Sequence, residues 1–139
     1  IMYAECDIFA PCALGGIINK HSIPNFRCKG IAGAANNQLL RDEDAYHLAE
    51  RDILYAPDFV INAGGLLNVA AELEVAGYHP SVPRNKVDRI YDALLSIYEI
   101  AEKNQGSTHI AALSLAEYRI KYGLGRRKTP PVFHHNAES

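Results

Sequence analysis

The sequence contains no Gly-x-Gly-x-x-Gly turn and no Walker motif, so no recognisable pyrophosphate cradle is written in it. Gly30-x-x-Gly33 comes nearest, but it lies inside an apolar run that reads as a strand. No apolar run approaches the roughly 20 residues that a membrane span needs. Neither sign of charge dominates: 14 Lys and Arg stand against 16 Asp and Glu, a formal net charge of -2. That balance gives no electrostatic case for a nucleic-acid or membrane-surface partner. The basic run Arg126-Arg127-Lys128 is too short to make one and reads as the complement of a helix C-terminus.

Cysteine is scarce too. Cys6, Cys12 and Cys28 form an odd set without framework spacing. This fits a reducing, cytoplasmic setting and three small core residues. The pairs Cys12…His21 and Cys28…His47 leave a catalytic thiol as an alternative, but nothing orders them into a nucleophile and its base. None of the six histidines has metal-ligand spacing, so no metal is expected. The opening Ile1-Met2-Tyr3 runs directly into acidic residues, which is not the pattern of a signal peptide.

What is present is an ordinary globular composition, 48% hydrophobic and 22% charged over 139 residues. One domain with a real core can be built from that. Three short apolar runs come first: residues 6–10, 29–35 and 53–56, the last continuing as Phe59-Val60-Ile61. They are continuous rather than alternating, which predicts parallel strands covered on both faces. A crossover helix over 37–51 is expected between the second and third, with Asp42-Glu43-Asp44 as a solvated face. Pro24 limits the first crossover to a helical turn or two.

The remainder reads as helices. One spans 63–76, opened by Gly64-Gly65 and stopped by Gly77. A second covers 83–104, with Val87, Ile90, Tyr91, Leu94, Tyr98 and Ala101 at helical spacing. Gly106-Ser107-Thr108 caps a third, whose face is Ala111, Leu115, Tyr118 and Tyr122. Gly123 and Gly125 close it, and 126–139 reads as an extended or disordered tail. The expected division is 1–76, a partial doubly wound unit; 77–125, helices of the same domain; and 126–139, the tail.

Open parallel sheets bind ligands beyond the carboxyl ends of their strands. All three ends here carry unusual chemistry: Ala10-Pro11-Cys12-Ala13-Leu14-Gly15-Gly16, then Ala34-Ala35-Asn36-Asn37, then Asn62-Ala63-Gly64-Gly65. Small residues admit a flat ligand close to the backbone. Asparagine offers both a donor and an acceptor to a ribose, a carboxamide or an amino acid. By spacing alone, helix caps and tight turns account for the same residues.

At these ends the sequence resembles a family. Residues 6–16, Ala32-Gly33-Ala34-Ala35-Asn36-Asn37-Gln38-Leu39, and 55–65 in that order are similar to the glutamate/leucine/phenylalanine/valine amino-acid dehydrogenases. Asn36-Asn37 and Leu67-Asn68-Val69-Ala70 resemble the leucine branch most. The similarity is strong over 6–76 and weaker over 84–122. It implies an α/β fold: the carboxy-terminal half of a Rossmann-type NAD-binding domain, about three parallel strands, plus C-terminal helices. It also implies a homo-oligomer. It implies reversible oxidative deamination of an L-amino acid, with NAD, to a 2-oxo acid and ammonia.

The family's catalytic lysines, their aspartate partner and its glycine-rich turn belong to a part of the family's chain outside the matched segment. No catalytic role is therefore carried over, and the 139 residues alone are expected to be inactive. The resemblance carries over cofactor contacts at Ala13, Leu14, Ala34, Ala35, Asn36 and Asn62, and substrate contacts at Asn36, Leu66 and Val69. Glutamate dehydrogenases usually place a serine where Val69 stands. Valine cannot donate to a side-chain carboxylate, and burying one unpaired costs several kcal/mol, so an apolar, branched-chain substrate is implied. Leu66 is bulkier than the family's usual valine and favours a smaller side chain. Packing on an apolar helix explains Leu66 and Val69 equally well. A non-catalytic ligand-binding module, and a dehydrogenase of the phenylalanine or glutamate type, are the alternatives.

Overall fold

The computed structural model describes residues 2–74 and 77–123. The expected tail lies outside them. Three strands form one parallel sheet in the order β1 (Ile8–Phe9), β2 (Gly30–Ile31) and β3 (Leu54–Tyr55). The register places Ile8, Gly30 and Leu54 in one row and Phe9, Ile31 and Tyr55 in the next. The strands are shorter than the apolar runs because the backbone leaves the ladder early. Further parallel bridges, Glu5 to Arg27 and Ile18 to Leu39, extend the alignment at either side.

Successive strand residues point to opposite faces, so the two rows meet different surroundings. Ile31 and Tyr55 are buried in a core with Ile18, Ile23, Phe26, Leu48 and Ile53, and Phe9 packs against it. On the other face Ile8 and Leu54 are 59% and 51% exposed. The expectation of strands covered on both faces is therefore corrected: only one face is covered within the described residues.

The first crossover contains a single 3-10 turn, Ile23–Asn25, with Pro24 inside it. The second is shorter than expected. Helix α1 is Asp44–Ala49, not 37–51, because the preceding residues make the loop that bears Asn36. Nor is the acidic run a solvated face throughout. Asp44 is buried and accepts from the Arg41 backbone N–H at 3.0 Å, and Asp42 pairs with His109.

Phe59-Val60-Ile61 is not strand. Pro57, at φ -55, ends β3's extended course and starts α2 (Asp58–Ile61). Pro fixes that φ at a value suited to a helix start. The buried Asp58 carboxylate then accepts a hydrogen bond from the Tyr55 hydroxyl at 3.2 Å. Helix α3 is Gly64–Ala71; it ends before Gly77, which stands at φ +80 in the following loop.

Helices α4 (Ser81–Lys103) and α5 (Thr108–Lys121) pack together, and α4 also packs on α3. Ile97, Ala101, Ala111 and Ala112 form this second core. The Ser107 side chain caps α5 as expected, accepting from the Ile110 N–H. The expected faces are only partly buried: Tyr91, Tyr118 and Tyr122 are exposed. The cysteines are corrected as well. Cys6 and Cys12 are exposed, and only Cys28 is partly buried against the core. No helix among the described residues is long and apolar enough to cross a membrane.

Candidate functional site at the strand ends

Parallel strands deliver all three carboxyl ends to one edge of the sheet. There the loops are stitched together by backbone. The Ala35 N–H donates to the Pro11 carbonyl at 2.9 Å, and the Gly16 N–H to the Asn37 carbonyl at 2.7 Å. The approach is close enough to require glycine. A Cβ on Gly33 would lie 2.1 Å from the Pro11 oxygen, and one on Gly15 would lie 2.7 Å from the carbonyl oxygens of Asn36 and Asn37.

The second asparagine of the doublet has a backbone reason. Asn37 stands at φ +52, a left-handed conformation that asparagine tolerates better than most residues. It turns the chain between Asn36, which is exposed, and Gln38, which is fully buried.

The site's central contact joins the second end to the third. Asn62 Nδ2 donates to Asn36 Oδ1 at 2.6 Å. A primary amide has two donor hydrogens and one acceptor oxygen. Paired in this way, the two side chains leave the Asn36 amino group and the Asn62 carbonyl oxygen without a protein partner among the described residues. Exchanging O and N in both amides leaves the same pair of functions. The pair thus keeps a donor and an acceptor available, the functions that a carboxamide complements.

Ala13, Leu14 and Ala34 are exposed around these loops, Leu14 at 76%. Ala35 is different. It is buried, its N–H is spent on Pro11, and its carbonyl accepts from Gln38. It holds the loop rather than presenting a surface. Two residues after Asn62, α3 begins, and Leu66 and Val69 lie on its exposed side at 73% and 57%. They share one side because three residues make nearly one helical turn. Asn68 is held by the Tyr78 hydroxyl at 3.1 Å. Gln38 is a residue of this site to which the sequence reading assigned no role.

No cluster of three His, Cys, Asp or Glu suited to a metal occurs among the described residues. Burial, then the neighbouring Asp58 charge, pushes the Tyr55 phenol well above the ordinary tyrosine range. Burial also raises Tyr98 and Cys28. None is a candidate acid or base near neutral pH.

The Glutamate/Leucine/Phenylalanine/Valine dehydrogenase family model matches residues 1–121. Leucine dehydrogenase of Thermoactinomyces intermedius is 49% identical over 129 residues, 93% of this chain and 34% of that protein. L-tryptophan dehydrogenase of Nostoc punctiforme is 52% identical over 117 residues, 84% of this chain and 33% of that protein. The crystal structure of L-tryptophan dehydrogenase from Nostoc punctiforme superposes with a TM-score of 0.82 at 50% identity, covering 88% of this chain and 37% of that one. The chain thus spans about a third of the length of the curated relatives it matches. With its three-stranded parallel sheet and following helices, this chain belongs to the glutamate/leucine/phenylalanine/valine dehydrogenase family.

Proposed function

We propose that this chain forms the nicotinamide-facing side of the cleft of an NAD-dependent amino-acid dehydrogenase. The whole protein would convert an apolar, branched-chain L-amino acid reversibly to its 2-oxo acid and ammonia. The observation that carries this reading is the Asn62–Asn36 hydrogen bond at the strand ends. When bound, NAD would supply the acceptor for a hydride from the amino-acid α-carbon. The chain's own residues bind and orient. The free donor and acceptor of the asparagine pair fit the nicotinamide carboxamide and its ribose. Ala13, Leu14 and Ala34 give the flat ring a small-residue approach, and Ala35 keeps that loop in place.

Leu66 and Val69 supply an apolar wall for the substrate side chain. Neither can hydrogen-bond a carboxylate, which supports an apolar substrate over glutamate. The resemblance places the family's catalytic lysines outside the matched segment, so the isolated 139-residue chain is expected to make no NADH.

A second reading has its own support. L-tryptophan dehydrogenase is as similar as leucine dehydrogenase. An aromatic substrate would then meet the same two side chains. An assay of the full-length protein with NAD and leucine, valine, phenylalanine or tryptophan separates the two. Highest kcat/KM on leucine or valine supports the first; highest on an aromatic amino acid sinks it in favour of the second.

A further inference from the structure

Gln38 has no exposed surface at all. A buried, flexible and polar side chain is costly unless it is fully used. Its Nε2 donates to two carbonyls of the preceding loop, Gly33 at 2.7 Å and Ala35 at 2.9 Å. Its Oε1 is buried without a partner. Burying a glutamine amide is costly, and what this one supplies to the fold is the pair of bonds that its Nε2 donates.

The two carbonyls it grips bracket Ala34, and Asn36 follows directly. No other side chain among the described residues hydrogen-bonds to residues 33–35. The left-handed turn at Asn37 brings Gln38 back under its own loop while leaving Asn36 outside, where it meets Asn62. The glutamine amide thus ties down the inner carbonyls of the stretch whose outer side would face the cofactor.

We propose that Gln38 is a positioning residue for cofactor binding: it fixes the 33–36 loop so that Asn36 is presented to Asn62 and to the nicotinamide. This rests on the dehydrogenase reading above. Its consequence is that cofactor affinity depends on a residue that touches no cofactor.

The test compares the full-length protein with Gln38→Met and Gln38→Glu. Methionine fills a similar volume and removes both the donor and the unpaired acceptor. The expected result for Gln38→Met is a melting temperature close to that of the parent. Amide hydrogen exchange should be faster at residues 33–37 and unchanged in α4 and α5. With NAD, KM should rise and kcat/KM should fall roughly 10- to 100-fold, the scale of a misplaced binding group. KM for the amino acid should move less than KM for NAD. Gln38→Glu should recover toward the parent as pH falls, because only a protonated carboxyl group can donate to a carbonyl.

Unchanged exchange at residues 33–37 in Gln38→Met overturns the proposal, whether or not the protein turns over. A fall in melting temperature with faster exchange throughout the sheet also overturns it, since that marks a merely structural residue. Faster exchange at residues 33–37 with an unchanged KM for NAD overturns the positioning role, whereas a parent that makes no NADH from any amino acid refutes the dehydrogenase reading on which it rests.

Discussion

Asn62 and Asn36 stand 26 residues apart in sequence and are joined by one hydrogen bond of 2.6 Å. Each therefore orients the other, and neither amide is free to turn away from the cleft. Replacing either by alanine removes a proposed ligand contact and releases its partner. In the full-length protein, Asn36→Ala and Asn62→Ala should each raise KM for NAD about tenfold, the effect of losing one to two hydrogen bonds. The double variant should cost less than the product, with a coupling of about 0.5–2 kcal/mol. Strictly multiplicative losses would show that the two side chains act separately.

Gly33 makes a sharper steric prediction. A methyl group there would lie 2.1 Å from the Pro11 oxygen and 2.4 Å from the Pro11 nitrogen. Both are backbone atoms, so no side chain can swing aside. Gly33→Ala should destabilise the fold by about 3 kcal/mol, at the upper end for overpacking. At Gly65, where a Cβ meets nothing within 4 Å, the same change should stabilise α3 by up to about 1 kcal/mol. Thermal or urea unfolding reads both. Equal effects at the two glycines would contradict the packing described here.

Alkaline pH should unfold the protein through Tyr55. Burial and the Asp58 charge raise this phenol above its ordinary value of 10.0. A raised pKa means the folded state holds the proton more tightly than the unfolded state. The contribution is complete below pH 10.0 and is lost as pH rises through the folded value. Tyr98 has the same sign, also from burial. Melting temperature should therefore fall steeply above that pH. Tyr55→Phe should lower it at neutral pH, where Asp58 loses a donor, yet flatten the alkaline fall. An unchanged slope in Tyr55→Phe would rule this residue out.

The strand ends were legible because their chemistry is local. Runs of Ala, Gly and Asn after apolar segments mark loops that pack closely at the strand ends, and there Asn36 and Asn62 do meet. The three parallel strands and the Ser107 cap were legible for the same reason. Phe59-Val60-Ile61 was misread as strand because a short apolar run does not distinguish strand from helix. The start signal was present in Pro57-Asp58, a proline followed by a first-turn acid.

Other features depend on tertiary partners that no spacing reveals. Ile8 and Leu54 read as buried, but the row they share has no cover among the described residues. Cys6 and Cys12 looked like core residues and are exposed, because the ladder is too short to carry them inside. Asp42 is solvated as its position in the acidic run implies, but its hydrogen-bond distance of 3.0 Å to His109, 67 residues later, is not written in any spacing. Gln38 carries no outward mark: its partners are three and five residues back, on a turn that only the left-handed Asn37 creates.

The most direct test of the central claim is kcat/KM of the full-length protein with NAD for leucine against glutamate. If Leu66 and Val69 line the side-chain pocket as proposed, leucine should be preferred by roughly 100-fold or more, because neither side chain can partner glutamate's carboxylate. A preference for glutamate would contradict the account.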